Sequence, residues 1–218
     1  IPGNLYNFGD QDGVWSETTP QRPAARKGQI RVEMEEAYRA AGVRTVILRA
    51  GNFIDPNHNE DVMSSVLLRN IKRGVITLPG DASVMQAYAY VPDWARAALM
   101  LAEKIDRLAT FEDVPFPGHA FTAEDLRHAL EGIMGRNLTF KQFPWWAMTL
   151  LSPVWELARE LSEMRYLYNT AHRLCSKKFD ALLPDFRPTE TLTVMRSGLP
   201  KDIVTEGHSV SVGYSAAQ

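Results

Sequence analysis

The stretch RKGQIRVEMEEAYRAAGVRTVILRAGN, residues 26–52, decides the fold class of this chain. Apolar residues recur every three to four positions over residues 26–41, which predicts a helix with one buried face. Gly42 follows where helices commonly end in a left-handed residue. The β-branched run at residues 43–48 then predicts a buried strand. A helix and a strand joined by such a tight turn indicate an α/β fold.

The same patterns predict further elements along the chain. Four more helices are expected at residues 60–73, 93–105, 122–134 and 144–168, and three more strands at residues 75–78, 87–91 and 138–143. Asp93 is a candidate N-cap, and Thr122 with Asp125 has the spacing of a capping box. Residues 7–26 are rich in Gly, Pro and short polar side chains, which is typical of a surface loop.

Composition excludes several classes of function. The 218 residues are 45% hydrophobic and 23% charged with a formal net charge of -2, which is typical of a soluble globular protein. No basic block suggests a nucleic-acid partner, and no run of about 18 apolar residues suggests a membrane span. The single cysteine, Cys175, suits a reducing compartment, so we expect a cytoplasmic protein. The five histidines lack metal-ligand spacing, so no metal site is expected.

Lys27 and Arg31 lie four residues apart and therefore share one face of the first predicted helix. Burial and nearby positive charge can lower the pKa of a lysine, which makes it able to act as an acid or a base. The alternative is a solvated basic first turn, although positive charge is unfavourable at a helix N-terminus. The residues alone leave both interpretations open.

Ala50, Gly51 and Asn52 follow the predicted strand at residues 43–48. Ligands of open α/β sheets bind just beyond the carboxyl ends of the strands. Gly51 allows close backbone approach, and Asn52 offers both a donor and an acceptor. A plain turn closed by residues 55–56, Asp-Pro, is the alternative.

Taken in order, several segments resemble the extended short-chain dehydrogenase/reductases, the sugar-nucleotide epimerase and dehydratase group. Residues 46–52 are similar to the Leu-Arg-Pro-Gly-Asn segment of that family. Residues 80–83 and 90–93 are similar to its Gly-Asp-Gly-Ser and Tyr-Val-Asp-Asp segments. The similarity covers residues 1–135. It implies part of a Rossmann-like parallel sheet, NAD or NADP as cofactor, and a small-molecule substrate.

The chain also departs from that family. The resemblance implies a Ser or Thr at Pro2 or Gly3 and a Tyr-x-x-x-Lys pair at Lys27 and Arg31, so the usual tyrosine acid/base is missing. The family's arginine for a sugar-nucleotide diphosphate falls near Gln86, which puts that substrate class in doubt.

A second resemblance accounts for Lys27. The spacing of Lys27, Ile30, Arg31 and Glu35 is similar to that of the atypical group of isoflavone reductases and NmrA-like proteins, in which a lysine takes the place of the tyrosine. This implies that Lys27 is catalytic and that Arg31 tunes it or binds cofactor phosphate or ribose. The two resemblances together imply cofactor contacts from Asn4, Tyr6, Ala50, Gly51 and Asn52, and substrate contacts from Phe53, Gln86 and Tyr88.

We expect three regions in the chain. Residues 1–54 are expected to be the C-terminal part of a dinucleotide-binding Rossmann domain, residues 55–200 a mostly helical substrate lobe with strands returning to the sheet, and residues 201–218 a tail. The Gly-x-x-Gly-x-x-Gly loop is absent from the sequence, and Ile1 opens in a strand end. We therefore expect a fragment that binds NAD(P) weakly and has an apolar face that is exposed or covered by a partner.

The expected reaction is hydride transfer at a carbinol or carbonyl carbon, with Lys27 as proton donor or acceptor. The alternatives are an NmrA-like dinucleotide-binding regulator without turnover and an inactive fragment; a homodimer is also considered. The aromatic segment with Trp145, Trp146, Met148 and Trp155 is expected to line a site for an apolar or aromatic substrate. A buried helix pair that only holds the lobe together is the other interpretation.

Overall fold

The computed structural model describes residues 1–57 and 60–206. The strands in these ranges are β1 (Pro2–Gly3), β2 (Gly13–Trp15), β3 (Thr45–Arg49), β4 (Asn52–Ile54), β5 (Val75–Leu78), β6 (Gln86–Tyr90), β7 (Phe111–Pro115), β8 (His119–Phe121), β9 (Thr139–Gln142) and β10 (His172–Leu174). The helices are α1 (Arg26–Ala40), α2 (Val91–Glu103), α3 (Ala123–Met134), α4 (Trp145–Leu151), α5 (Glu156–Glu163), α6 (Lys177–Leu182), α7 (Thr191–Ser197) and α8 (Lys201–Glu206). The fold is α/β, as the sequence predicts.

A parallel sheet with the strand order β1–β3–β7 carries the first part of the fold. Strand β3 is its centre, and Leu48 lies opposite Pro2 on one side and Val114 on the other. Thr45, Ile47 and Leu48 of β3 are buried and Val46 is half-buried, which is the pattern of a strand covered on both faces. Strand β7 returns to this sheet from much later in the chain.

Three smaller sheets complete the architecture. Strand β6 pairs in parallel with β4 and antiparallel with β8, while β5 pairs in parallel with β9 and β2 with β10. Only Ala50 and Gly51 separate β3 from β4, so this short link carries the chain from one sheet to the next. A Cβ on Gly51 would lie 2.2 Å from the carbonyl oxygen of Ala87. The close approach of these two backbones therefore requires glycine at this position.

The buried apolar side chains form three clusters. The largest joins β5, β6 and α3 to α7, through residues such as Ile76, Leu126 and Val194. A second lies beneath α2, β3 and α6. The third is small, and packs Phe8 and Trp15 against the last strand, β10. This third cluster positions the site described below.

Several predicted elements are confirmed, and others differ for local reasons. The capping box of α3 forms between Thr122 and Asp125, and Gly135 ends the helix in the left-handed conformation. The predicted helix at residues 60–73 is instead two short helical turns, Met63–Leu67 and Ile71–Arg73. The predicted helix at residues 144–168 is divided because Pro153 lies between α4 and α5 and cannot donate a backbone hydrogen bond.

Asp93 is not the N-cap of α2, which begins at Val91 after Tyr90. The carboxylate of Asp93 instead accepts hydrogen bonds from the backbone and hydroxyl of Thr189, and it pairs with Arg96. The predicted loop at residues 7–26 contains β2, and the predicted tail begins with the helix α8. Residues 207–218 of that tail lie outside the described residues.

Candidate functional site

A cavity of about 350 Å³ lies at the carboxyl ends of β1 and β3. This is the edge at which open α/β sheets bind ligands. Most of the residues predicted from the sequence meet there: Asn4, Tyr6, Arg31, Ala50, Gly51, Asn52, Phe53 and Gln86. Lys27 and Tyr88 are the predicted site residues that do not line this cavity.

Tyr88 lies deeper in the fold. It stacks on Phe121 with ring centroids 4.1 Å apart, and burial raises the pKa of its hydroxyl. It lines a smaller neighbouring cavity, which shares Asn52, Gln86 and Tyr168 with the first one. The two cavities therefore adjoin, with Gln86 in their common wall.

Asn4 and the buried Arg49 shape the floor of the cavity. The Oδ1 atom of Asn4 accepts a hydrogen bond from the backbone of Tyr6, while its Nδ2 atom is buried with no partner in the part of the chain that the structure describes. Arg49 donates to the carbonyl oxygen of Asn4 over 2.8 Å. The strand-end backbone is therefore held in place, and one side-chain donor of Asn4 remains available to a ligand.

Arg49 is fully buried between two carboxylates, those of Glu35 on α1 and Asp113 on β7. Burial alone would lower the pKa of Arg49, but these two carboxylates raise it above its ordinary value. Burial also raises the pKa of Asp113, although Arg49 opposes this change. The network ties α1 to the sheet and so fixes the helix that carries Lys27 and Arg31.

The two cations of α1 have different surroundings. The ammonium of Lys27 pairs with the carboxylate of Glu160 on α5 at 2.8 Å, and its side chain is 40% exposed. Arg31, one turn later, lines the cavity and has no carboxylate within 4.0 Å among the described residues. Its nearest polar contact is the sulfur of Met34 at 3.9 Å. Of the two predicted cations, Arg31 therefore lines the cavity and Lys27 does not.

Residues from later in the chain close the cavity, and sequence reasoning missed them. They come from the 3-10 turn Arg165–Asn169 and from the start of β10, and they include Leu167, Tyr168 and His172. Burial raises the pKa of Tyr168 to about 12. Their separation of more than 100 residues from Arg31 left no spacing signal in the sequence.

His172 is buried and stacks flat on Trp15, with ring centroids 4.6 Å apart. Its Nδ1 atom lies 2.8 Å from the carbonyl oxygen of Thr170. Burial lowers the pKa of His172, so the imidazole is neutral at physiological pH. The ring is therefore fixed in position and in tautomer.

The aromatic segment predicted to line the substrate region does not reach the cavity. Trp146 is 74% exposed and Trp155 is 44% exposed, so the alternative of a fully buried helix pair also fails. Trp145 donates to the carbonyl oxygen of Pro79 and lies beside Tyr168, which does line the cavity. The segment thus supports a wall of the cavity from behind.

The described residues offer two further observations. Residues 1–57 and 60–206 contain no group of three or more His, Cys, Asp or Glu side chains placed to hold a metal ion. None of the helices in the same ranges is long and apolar enough to cross a membrane.

A parallel sheet with a cavity at its strand ends defines the chain as an α/β protein whose cavity lies where open sheets of this class bind ligands. The model of the NAD dependent epimerase/dehydratase family matches residues 8–114. This match confirms the resemblance seen in the sequence. No curated protein sequence matches the chain.

Solved structures with the same fold include a UDP-galactose 4-epimerase, with 18% identity and a TM-score of 0.64 over 94% of this chain and 62% of that one. UDP-glucuronic acid 4-epimerase from Bacillus cereus, in complex with UDP-glucuronic acid and NAD, has 16% identity and a TM-score of 0.69 over 94% of this chain and 60% of the epimerase chain. A monomeric L-threonine 3-dehydrogenase has 14% identity and a TM-score of 0.68 over 95% and 64%. The chain spans about three fifths of the length of these structures, and at such identities the likeness concerns the fold.

Proposed function

We propose that the protein is an NAD(P)-dependent oxidoreductase that acts on the carbinol or carbonyl carbon of a small molecule. The observation that carries this proposal is the cavity at the carboxyl ends of β1 and β3, which is lined by Arg31, a cation with no ion pair to any described residue. The family match supports the choice of cofactor.

The residues around the cavity fit the nicotinamide end of a dinucleotide. Among residues 1–57 and 60–206, the buried Nδ2 donor of Asn4 has no hydrogen-bond partner and Arg31 has no carboxylate within 4.0 Å. Such donors suit the acceptor oxygens of a ribose or a carboxamide. When bound, the nicotinamide would take or supply the hydride. The chain would orient it, and Leu5 and Leu167 would exclude water from the cavity.

Proton transfer is assigned to Lys27, because the family resemblance places it where a tyrosine is usual. This role requires the Lys27 ammonium to leave Glu160 and turn towards the cavity, which begins one helical turn away at Arg31. The pair with Glu160 is partly exposed, so separating the two charges costs little.

A dinucleotide-binding regulator without turnover is the second candidate function. It is favoured by the pairing of Lys27 with Glu160 and by the lack of a hydroxyl at Gly3. A Cβ at Gly3 would lie 2.5 Å from the side chain of Ile47, so this position does not accept a serine or threonine without a shift.

The test is a titration of the full-length protein with NADH and NADPH, followed by nicotinamide fluorescence, and then assays of turnover with secondary alcohols and with UDP-sugars. Arg31→Met is expected to weaken NADH binding by about tenfold, the loss typical of a hydrogen bond to a charged group. Lys27→Met is expected to abolish turnover while the affinity for NADH stays unchanged. Arg159→Met, which removes an exposed cation of α5, serves as the control.

Each outcome separates the candidates. Binding of NADH without turnover on any substrate would favour the regulator. Full turnover by Lys27→Met would assign proton transfer to another group. Failure of both NADH and NADPH to bind would reject the proposal and its alternative together.

A further inference from the structure

Gln86 has both of its donors engaged and its acceptor free. Its Nε2 atom donates to the carbonyl oxygens of Leu167 and Thr170, each over 3.1 Å. Turning the amide over would place Oε1 against these two carbonyl oxygens, so its orientation is fixed. Gln86 is 8% exposed and lies in the wall of the cavity, and its Oε1 atom is buried with no partner among the described residues.

His172, like Gln86, is held by the backbone carbonyl oxygen of Thr170. A carbonyl oxygen only accepts, so the contact with Thr170 means that Nδ1 carries the ring hydrogen. Nε2 is then an acceptor, and the only side-chain hydrogen bond of His172 within the described residues is the one made by Nδ1. The same carbonyl oxygen of Thr170 therefore fixes Gln86 and His172, and leaves an acceptor on each.

We infer that Gln86 Oε1 and His172 Nε2 form a paired acceptor site that binds hydroxyl or amine donors of an uncharged ligand, most simply a vicinal diol. The inference rests on the proposed function in that it describes the substrate end of the same cavity. It narrows the substrate to a donor-bearing molecule, because the anionic oxygens of a carboxylate or phosphate only accept hydrogen bonds and are repelled by two fixed acceptors.

Donors on other parts of the cavity wall complement this acceptor pair. Asn4 Nδ2 and the guanidinium of Arg31 lie on the strand-end and α1 sides, and they suit the acceptor oxygens of a ligand. A ligand with a carbonyl and neighbouring hydroxyls would satisfy both kinds of group. The volume of about 350 Å³ is in the range of small-molecule sites.

The experiment uses the full-length protein and ligand-observed NMR with three probes: cis-1,2-cyclohexanediol, its dimethyl ether and inorganic pyrophosphate. The diol is expected to bind at millimolar concentration, and the ether and pyrophosphate at least about fivefold more weakly, as expected for the loss of hydrogen bonds. His172→Phe keeps the ring stacked on Trp15 and removes the acceptor, so it is expected to weaken diol binding by about fivefold. His119→Phe alters another buried histidine, which lies outside the cavity and contacts Thr191, and it serves as the control.

A second measurement does not depend on any variant. The ¹⁵N spectrum of the wild-type histidines is expected to show His172 with hydrogen on Nδ1, and the diol should shift its Nε2 resonance. Equal binding by the ether, an equal shift of the His172 Nε2 resonance by pyrophosphate, unchanged diol affinity in His172→Phe, or no diol binding at all would each overturn the inference. NADH is absent from these measurements, so failure of the acceptor site is distinguished from failure of the proposed cofactor binding.

Discussion

Replacing Arg49 with methionine is expected to destabilise the protein severely. The substitution keeps most of the side-chain volume but leaves the carboxylates of Glu35 and Asp113 buried without the cation between them. Breaking a buried ion pair in this way costs about 3–5 kcal/mol. For a chain of this length each kcal/mol lowers Tm by roughly 2–4 °C, so a total fall of roughly 6–20 °C is expected.

The pH dependence of this loss provides a sharper test. Burial already raises the pKa of Asp113 in the folded protein above its ordinary value, and without Arg49 it should rise further. When the pKa of a carboxyl group is higher in the folded than in the unfolded protein, the folded state binds the proton more tightly. Protonation of Asp113 therefore stabilises the folded state at low pH, and this stabilisation is lost as the pH rises. The deficit of Arg49→Met should therefore shrink between pH 8 and pH 5.

Urea denaturation followed by circular dichroism at both pH values measures this deficit. Arg159→Met removes an exposed arginine 3.6 Å from Glu156 and is expected to change the free energy of unfolding by less than about 1 kcal/mol. A deficit below about 1 kcal/mol for Arg49→Met, or one that is the same at pH 5 and pH 8, would refute the account of the buried network.

Two further predictions concern the backbone and the C-terminal segment. Gly51→Ala should destabilise the protein by about 1–3 kcal/mol, because the added Cβ would collide with the backbone of Ala87. Gly132→Ala, on the open face of α3, should instead stabilise it by about 0.5–1 kcal/mol. Equal effects of the two substitutions in urea denaturation would contradict this contrast. Asp93→Ala should cost about 1–3 kcal/mol and increase hydrogen exchange around Thr189, and unchanged exchange there would show that the carboxylate does not hold the segment.

The helices and strands whose bounds depend on residues close by in the sequence could be predicted from the sequence. Helix α3 carries its own start and stop signals in Thr122, Asp125 and Gly135, and the strand β5 was predicted with its observed bounds. By contrast, β2 and β10 are three residues each and exist through their pairing with one another. A single sequence contains no local signal for such a contact, because more than 150 residues separate the two strands.

Some residues of the candidate site could likewise be predicted from the sequence, and others could not. The strand-end residues Asn4 and Gly51 could be predicted because any ligand of this fold meets the strand ends. The direction of the Lys27 side chain could not be predicted, since it depends on an ion pair with Glu160. Glu160 lies on α5, which the sequence pattern predicts only as part of one long helix at residues 144–168. His172 was missed because a lone histidine acquires its role only through Trp15 and Thr170.

The pairing of β2 with β10 has a consequence for the order of folding. Closing a loop of this length is entropically unfavourable and slow, so the strand pair is expected to form after the local helices and after β5 with its neighbours. Trp15 lies on one side of the last contact, and His172 on the other. The cavity is therefore complete only when the chain has closed on itself, and a nascent chain that ends before residue 164 would already have β1 and β3 but lack the wall that Leu167, Tyr168 and His172 supply.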